Sequence, residues 1–281
     1  MEIEFLKMQG CGDDSIILRA SQLPPGADSL LPDLAPLILD RSFGVGGNAL
    51  LLMGHSEDGA LPVRGFDQQG DEPPLSCHAV RCLARYATDS GAASGDAFVI
   101  RTPEGRIRVQ IIDSSNIRVD MGMPMSSETQ AEIRESPDGS FTRSLLVDGR
   151  SLSYTPISLG RSYAMFFVPS LAFPLNKTAR RISEQPDFPA GTGITFIKVY
   201  SRDEVRLRVW EGGEESDECA CAAAALVASV VNGFTDREVF IHLKGGDVFL
   251  QWEESDNHLW LTGPAGYVFT GTYDYEPLEK E

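Results

Sequence analysis

A repeated spacing constrains this chain more than any other feature. Cys77 and Cys219 stand 142 residues apart, and so do Gly91 and Gly233, the glycines that end the helices those cysteines begin. Gly105 and Gly246, Gln110 and Gln251, and Gly122 and Gly263 keep the offset at 141. Sparse identity at a held offset is what a duplicated α/β unit leaves behind, each copy reading strand, loop, cysteine, helix and β-meander. With 281 residues the chain is also long for a single core, so two lobes of one topology are expected. The polar stretch Ser126–Ser144 shows little periodicity and marks the boundary between them.

The second copy of the cysteine-headed helix is the clearer one. EGGEESDECACAAAALVASVVNG, Glu211 to Gly233, runs from an acidic loop into Cys219 and on into an alanine-rich helix. A helix N-terminus carries unpaired N–H groups and about half a unit of positive charge, so it can hold a carboxylate and lower a cysteine pKa. Ala and Cys equally suit a buried helix, and Glu214, Glu215, Asp217 and Glu218 would raise the thiol pKa. The register pairs Cys77 with Cys219, because Cys221 would need an offset of 144. Two thiols on opposite sides of one carbon can act as base and acid, inverting its configuration without a cofactor.

Between these helices the pattern is mostly strand. Glu2–Met8 and Ser15–Leu18 alternate around a Gly10–Asp14 turn, giving an opening hairpin. Helical spacing from Leu30 to Asp40 precedes strands at Ala49–Met53 and Val63–Phe66, and the helix Ala79–Thr88 leads into a meander over Phe98–Met121. The second half is expected to retrace this with strands at Leu145–Val147, Ala164–Val168, Ile194–Tyr200 and Val205–Trp210, the helix to Val231, and a meander from Val239 to Leu261.

Acidic groups exceed basic ones by 17 and no Lys/Arg cluster forms a patch, which argues against nucleic acid or an anionic membrane as partner. MEIEFLKMQG lacks a signal-peptide apolar run and no later stretch reaches bilayer length, so a cytoplasmic location is expected. Five cysteines are an odd set for a disulfide framework and point to thiol chemistry, metal or packing. A metal or redox centre from Cys77, His78, Cys82, Cys219 and Cys221 fits poorly, since Cys-x-Cys and Cys-x4-Cys are not the usual paired zinc spacings.

Several motifs together resemble diaminopimelate epimerase, of the cofactor-independent racemase group that includes proline racemase. Lys7-Met8-Gln9-Gly10 with Asp14 is similar to that family's KMHGxGND, Arg41–Gly46 to its RxFGIG loop, and Ser76–Cys82 to its MCGNGARC. Asp120–Pro124 and Thr262–Ala265 match its MG-P turn and its TGPA. The resemblance implies an α+β fold of two pseudo-symmetric lobes, each a curved, mostly antiparallel sheet around a central helix, with the active site in the cleft between them. It implies that the C-terminal strand Tyr267–Tyr273 completes the first lobe, giving lobes 1–124 with 266–281, and 125–265. It makes Cys77 and Cys219 catalytic, with a small-molecule amino acid as partner, no cofactor, no metal, and a homodimer allowed.

Where the family binds substrate, this chain often carries other residues. Asp13 stands for the Asn of GND, Asp67 for a loop Asn, His78 and Ala79 for Gly-Asn after the first cysteine, and Gly193 for the Asn of a GTN turn. Arg161-Ser162-Tyr163 replaces Asn-Pro-His, Glu211-Gly212 replaces Glu-Arg, and Ala220-Cys221-Ala222 replaces the glycine-rich stretch after the second cysteine. The resemblance therefore makes Asp13, Asp67, His78, Ala79, Gly193, Glu211, Ala220 and Cys221 the substrate-binding set. The function expected is epimerisation of diaminopimelate, in lysine biosynthesis. The alternatives are another amino-acid substrate, or a homologue that binds without turnover. His78 is expected as a polar residue of the first helical turn, Arg81 as solvent-facing or paired with the acidic loop, and Cys82 as core.

Overall fold

A computed structural model describes residues 1–56, 59–126, 132–133, 141–186, 188–216 and 219–276. Its chain divides into two compact units, Met1–Val119 with Gly263–Glu281, and Asp120–Thr262. Most of the polar stretch Ser126–Ser144 lies outside the described residues.

In the first unit the alternating N-terminus folds as β1 (Glu2–Gly10) and β2 (Asp13–Arg19), an antiparallel hairpin. Its two-residue turn, Cys11-Gly12, holds both φ angles positive at 53° and 87°, as a type I′ turn requires. Helix α1 (Leu31–Leu39) carries the chain to β3 (Ala49–Met53), parallel to β2, and β4 (Ala60–Phe66) returns antiparallel. Helix α2 (Cys77–Asp89) then crosses to β5 (Ala97–Thr102), parallel to β4. Strands β6 (Gly105–Ile111) and β7 (Asn116–Asp120) finish an antiparallel meander.

The second unit opens with β8 (Arg143–Val147) and β9 (Arg150–Leu159), antiparallel to each other, and β10 (Arg161–Phe167), antiparallel to β9. Helix α3 (Leu175–Ser183) crosses to β11 (Gly193–Val199), parallel to β10, and β12 (Glu204–Glu211) returns antiparallel. A short β13 (Glu214–Ser216) folds back on β12 before α4 (Ala220–Val231). Strand β14 (Glu238–His242) runs parallel to β12, and β15 (Asp247–Trp252) and β16 (Leu259–Pro264) complete the meander. The chain ends in β17 (Gly266–Asp274), which lies antiparallel to β1, the place β8 holds beside β9.

Both units thus have the same order of strand directions and the same two crossover helices. Helix α2 packs on β1, β2, β3 and β6, and α4 on their counterparts β9, β10, β11 and β15. The equivalence reaches single core positions. Leu31, Ala35 and Ile38 of α1 correspond to Leu175, Ala179 and Ile182 of α3, all 144 residues later and all buried. Ile16 and Leu18 of β2 correspond to Ala164 and Phe166 of β10 at an offset of 148. Each large apolar side chain of these clusters contributes roughly 1.5–3 kcal/mol by its burial.

The drift of that offset explains what sequence reading missed. From α2 and α4 onward the spacing holds at 141–142, but toward the N-terminus of each unit it grows to 148, so β9 and the start of β10 fall out of register. Helix α3 buries only three side chains, one per turn, on an otherwise polar and basic sequence. Helix α4 is the opposite case: every residue from Cys221 to Val231 is buried, as an all-round apolar helix enclosed by a sheet must be. Among the described residues no helix is long and apolar enough to cross a membrane.

Candidate active site

In the first unit a chain of polar contacts ties the motif residues to the start of α2. Ser76 is the N-cap of α2, its hydroxyl accepting from the Ala79 N–H at 3.1 Å and donating to Asp13 at 2.9 Å. Asp13 also accepts from the Asn48 amide at 2.6 Å, and Arg41 donates to the Asn48 oxygen at 2.8 Å. Arg41 then grips Asp14 through two nitrogens, at 2.7 and 3.1 Å, while Lys7 reaches Asp14 at 2.9 Å and the Gly46 carbonyl at 2.8 Å. Gly44 is required in this loop because a Cβ there would sit 2.2 Å from the Leu37 carbonyl oxygen.

Burial pushes the Asp14 carboxyl up, but hydrogen bonds and positive charge from Arg41 and Lys7 outweigh it and hold the group below the usual carboxylate range. A depressed folded-state pKa contributes stability above the unfolded value of about 3.9 that is lost as pH falls through the folded one. Asp14→Asn is therefore expected to lower stability by about 1–2 kcal/mol at neutral pH. Urea denaturation of both proteins should show that gap closing as the pH is taken below 4.

Cys77 is the first residue of α2 and is buried. One turn on, Arg81 is 0% exposed, and its guanidinium lies against the Cys77 sulfur, with Nη1 donating to Sγ at 3.4 Å. Its other hydrogen bonds go to the Pro264 carbonyl at 3.0 Å, to His78 Nδ1 at 2.8 Å and to Cys11 Sγ at 3.6 Å. A guanidinium has no acceptor to offer, so His78 Nδ1 takes that bond with its lone pair and carries its proton at Nε2. Gly10 leaves room for this group, since a Cβ there would meet Arg81 Nη2 at 3.0 Å. Burial pushes the Cys82 thiol up to about 12, against a partial lowering by Arg81, which fits a core cysteine.

In the second unit Cys219 is the N-cap of α4, buried, its carbonyl accepting from Ala222 N–H at 3.0 Å. Ala220 is half-buried and Cys221 fully buried. Glu211, at the end of β12, forms an ion pair with Arg161 of β10. Both line a cavity of about 330 Å³ with Phe188, Thr192 and Trp210. Gly212 and Gly213 make the two-residue turn between β12 and β13 with φ of 60° and 97°, a conformation that an arginine at 212 would hold only under strain. Arg161 thus brings a guanidinium to Glu211 from another strand. Arg208 clamps Glu215 at 2.7 and 3.0 Å, which offsets part of the acidic loop's charge, while Asp217 and Glu218 lie outside the described residues.

The structure assigns local work to several residues of the expected binding set. Asp67 accepts from the N–H groups of Gln69 at 2.9 Å and Asp71 at 3.0 Å, holding its own turn. Asp13 braces the N-cap of α2. Gly193 is glycine because a Cβ would stand 2.8 Å from the buried Tyr163 ring. Arg81 corrects the expectation of a solvent-facing or loop-paired arginine: it is fully buried among two sulfurs, a histidine and a carbonyl. Its spacing of four from Cys77 puts both on one helix face, a signal present in the sequence. His78 is buried too, at 1% exposure. Ser76 was findable from its place before a helix, whereas Asn48, 28 residues earlier, was not.

A sequence model of the diaminopimelate epimerase family matches residues 156–268. Diaminopimelate epimerase of Moorella thermoacetica is 34% identical over 281 residues, covering 96% of this chain and 99% of the relative. Among solved structures, a PhzF-family phenazine biosynthesis protein of Bacillus anthracis superposes with a TM-score of 0.69 at 15% identity, covering 98% of this chain and all of the other. A hydroxyproline epimerase of Agrobacterium vitis, with bound trans-4-hydroxy-L-proline, gives 0.67 at 14% identity over 96% of this chain and 92% of its own. At these identities the structural likeness speaks for the α+β fold alone.

Proposed function

Because the chain belongs to the diaminopimelate epimerase family, we propose that it is an amino-acid epimerase in which Cys77 and Cys219 exchange the α-proton of one substrate from opposite faces. The observation that carries this reading is positional: each cysteine begins the buried central helix of its own unit, at equivalent points of one duplicated topology. A thiolate removes the α-proton while the other thiol protonates the carbanion from the opposite side, and reversal of roles serves the other epimer. The N–H groups at the two helix starts supply the positive end that a substrate α-carboxylate needs, and that same field favours thiolate over thiol. The chemistry asks for no pyridoxal or metal, but it does ask for reduced thiols, which suits a reducing compartment.

Diaminopimelate, acted on in the LL to meso direction as a step toward lysine, is the first substrate to test. Its second ammonium and carboxylate need a charged distal subsite, and Arg161 with Glu211 offers one group of each sign. Purified, reduced protein incubated in deuterated water with diaminopimelate and a panel of free amino acids is expected to exchange the α-proton of diaminopimelate, followed by NMR. Exchange with a different amino acid would move the substrate assignment. Absence of exchange with every one would leave a binding protein and end the enzyme reading.

A further inference from the structure

A cavity of about 420 Å³ in the second unit carries a charge opposite to that of the chain as a whole. Lys198 of β11, Arg206 and Arg208 of β12, and Lys244 from the turn after β14 line it, and Glu215 is the one carboxylate among the described lining residues. Four cations against one carboxylate leave a positive surplus, on a protein whose net charge is −17. No two of the four are adjacent in the sequence, so the fold assembles this patch and corrects the expectation that Lys and Arg form none. Glu215 is already engaged. Arg208 clamps it at 2.7 and 3.0 Å and donates to the Leu171 and Phe173 carbonyls at 3.0 and 2.8 Å. The hydrogen bond from Arg208 holds the Glu215 carboxyl below the usual carboxylate range against its burial, and the Lys244 charge adds to the lowering. Among the described residues no carboxylate lies within ion-pair distance of Lys198, Arg206 or Lys244. Lys198 and Arg206 also stand directly opposite each other on β11 and β12, a pairing of like charges that disfavours the empty sheet.

We propose that this cavity binds a phosphate-bearing small molecule, with Lys198, Arg206 and Lys244 supplying the charge that meets it. A lone carboxylate would answer only one of these cations, whereas phosphoryl groups concentrate two or more negative charges within a few ångströms. A guanidinium meets phosphate oxygens through its planar fork, and lysines meet them as point charges. Ser170 adds a hydroxyl to the lining: its oxygen accepts from the Ala172 N–H at 3.2 Å, which leaves its proton free to donate. Lys198 is steadied by the Tyr200 ring, with Nζ 4.4 Å from the centroid. The patch is also confined. On the β14 side Arg206 stands opposite His242, whose ring is held by Asp247 at 2.7 Å and Glu204 at 3.0 Å, so carboxylates close off the positive field there. That confinement and the volume suit a small ligand, while a nucleic-acid strand would have to run on across an acidic protein. The cavity shares no lining residue with the one that holds Arg161 and Glu211, and the inference stands apart from the epimerase reading.

The test is isothermal titration calorimetry of the reduced protein with pyrophosphate, inorganic phosphate, citrate and a short single-stranded DNA, all at one ionic strength. Pyrophosphate is expected to bind saturably, one per chain, and more tightly than inorganic phosphate. Arg206→Gln and Lys244→Gln are each expected to weaken it about tenfold or more, since each removes a charge-assisted hydrogen bond. Arg150→Gln takes the same charge from an exposed position on β9 that does not line the cavity, and is expected to change binding by about twofold or less. Circular dichroism checks that the variants are folded, which the exposure of Arg206 and Lys244 favours. Absence of saturable pyrophosphate binding overturns the proposal, and so does binding that Arg206→Gln and Lys244→Gln leave intact or that Arg150→Gln weakens as much. Citrate binding as tightly as pyrophosphate overturns the assignment to phosphate. DNA binding more tightly through the same residues overturns the assignment to a small molecule. None of these outcomes depends on turnover, so loss of α-proton exchange with pyrophosphate binding intact would fault the epimerase reading alone.

Discussion

Replacing either Cys77 or Cys219 by alanine removes inversion of the substrate, a loss of about a thousandfold or more, since a positioned acid or base contributes on the order of 10²–10⁴. The two variants differ in what they keep. Each variant, once reduced, keeps one thiol and still removes and returns the α-proton on the face that thiol serves. It therefore exchanges that proton in one epimer without converting it. Chiral chromatography reads inversion and NMR in deuterated water reads exchange, and inversion retained in either variant would contradict a two-cysteine mechanism. Neither change should unfold the protein, because alanine is accommodated at both helix starts at modest cost.

Leu226→Ala carries the largest expected loss of stability. Leu226 is fully buried in α4, whose every residue from Cys221 to Val231 is buried, so the vacated space is enclosed and cannot be filled by solvent. Large-to-small changes at such sites cost about 2–5 kcal/mol. The denaturant midpoint should fall accordingly, and turnover with it as the Cys219 end of the helix loosens. Leu146→Ala on exposed β8 is the control, expected within about 0.5 kcal/mol of the parent because its side chain is 65% exposed.

The duplication was legible because its register is tightest where the cysteines are. Gly91 and Gly233 end α2 and α4 with φ of 72° and 71°, a role few residues other than glycine fill, so the spacing survived there. Toward the N-terminus of each unit the positions are held by interchangeable apolar side chains, Ile16 against Ala164 and Leu18 against Phe166, and identity tells nothing. Helix α3 was hidden by its own surface, since Lys177, Arg180 and Arg181 outweigh three buried side chains.

The two helix-start cysteines were legible in the sequence, and the residues around them much less so. Cys77 and Cys219 could be matched by number alone. Arg81 could not, because a lone arginine on a helix is ordinarily at the surface, and only the enclosing sheet shows that this one is buried beside a sulfur. Asp13 and Asp67 were assigned to substrate on the strength of aligned motifs, and their hydrogen bonds to Ser76 and to the Asp67 turn depend on folded proximity that spacing does not encode. Gly212 read as a missing arginine; the β12–β13 turn gives it a backbone reason.

The central claim is two-base inversion, and the most direct measurement is the isotope pattern of the first turnovers in deuterated water. Thiol protons exchange with solvent, so the inverted product is predicted to carry deuterium at the α-carbon from the outset while unreacted substrate still holds protium. A product that keeps the substrate's own proton, or substrate that is labelled before any product forms, would contradict it.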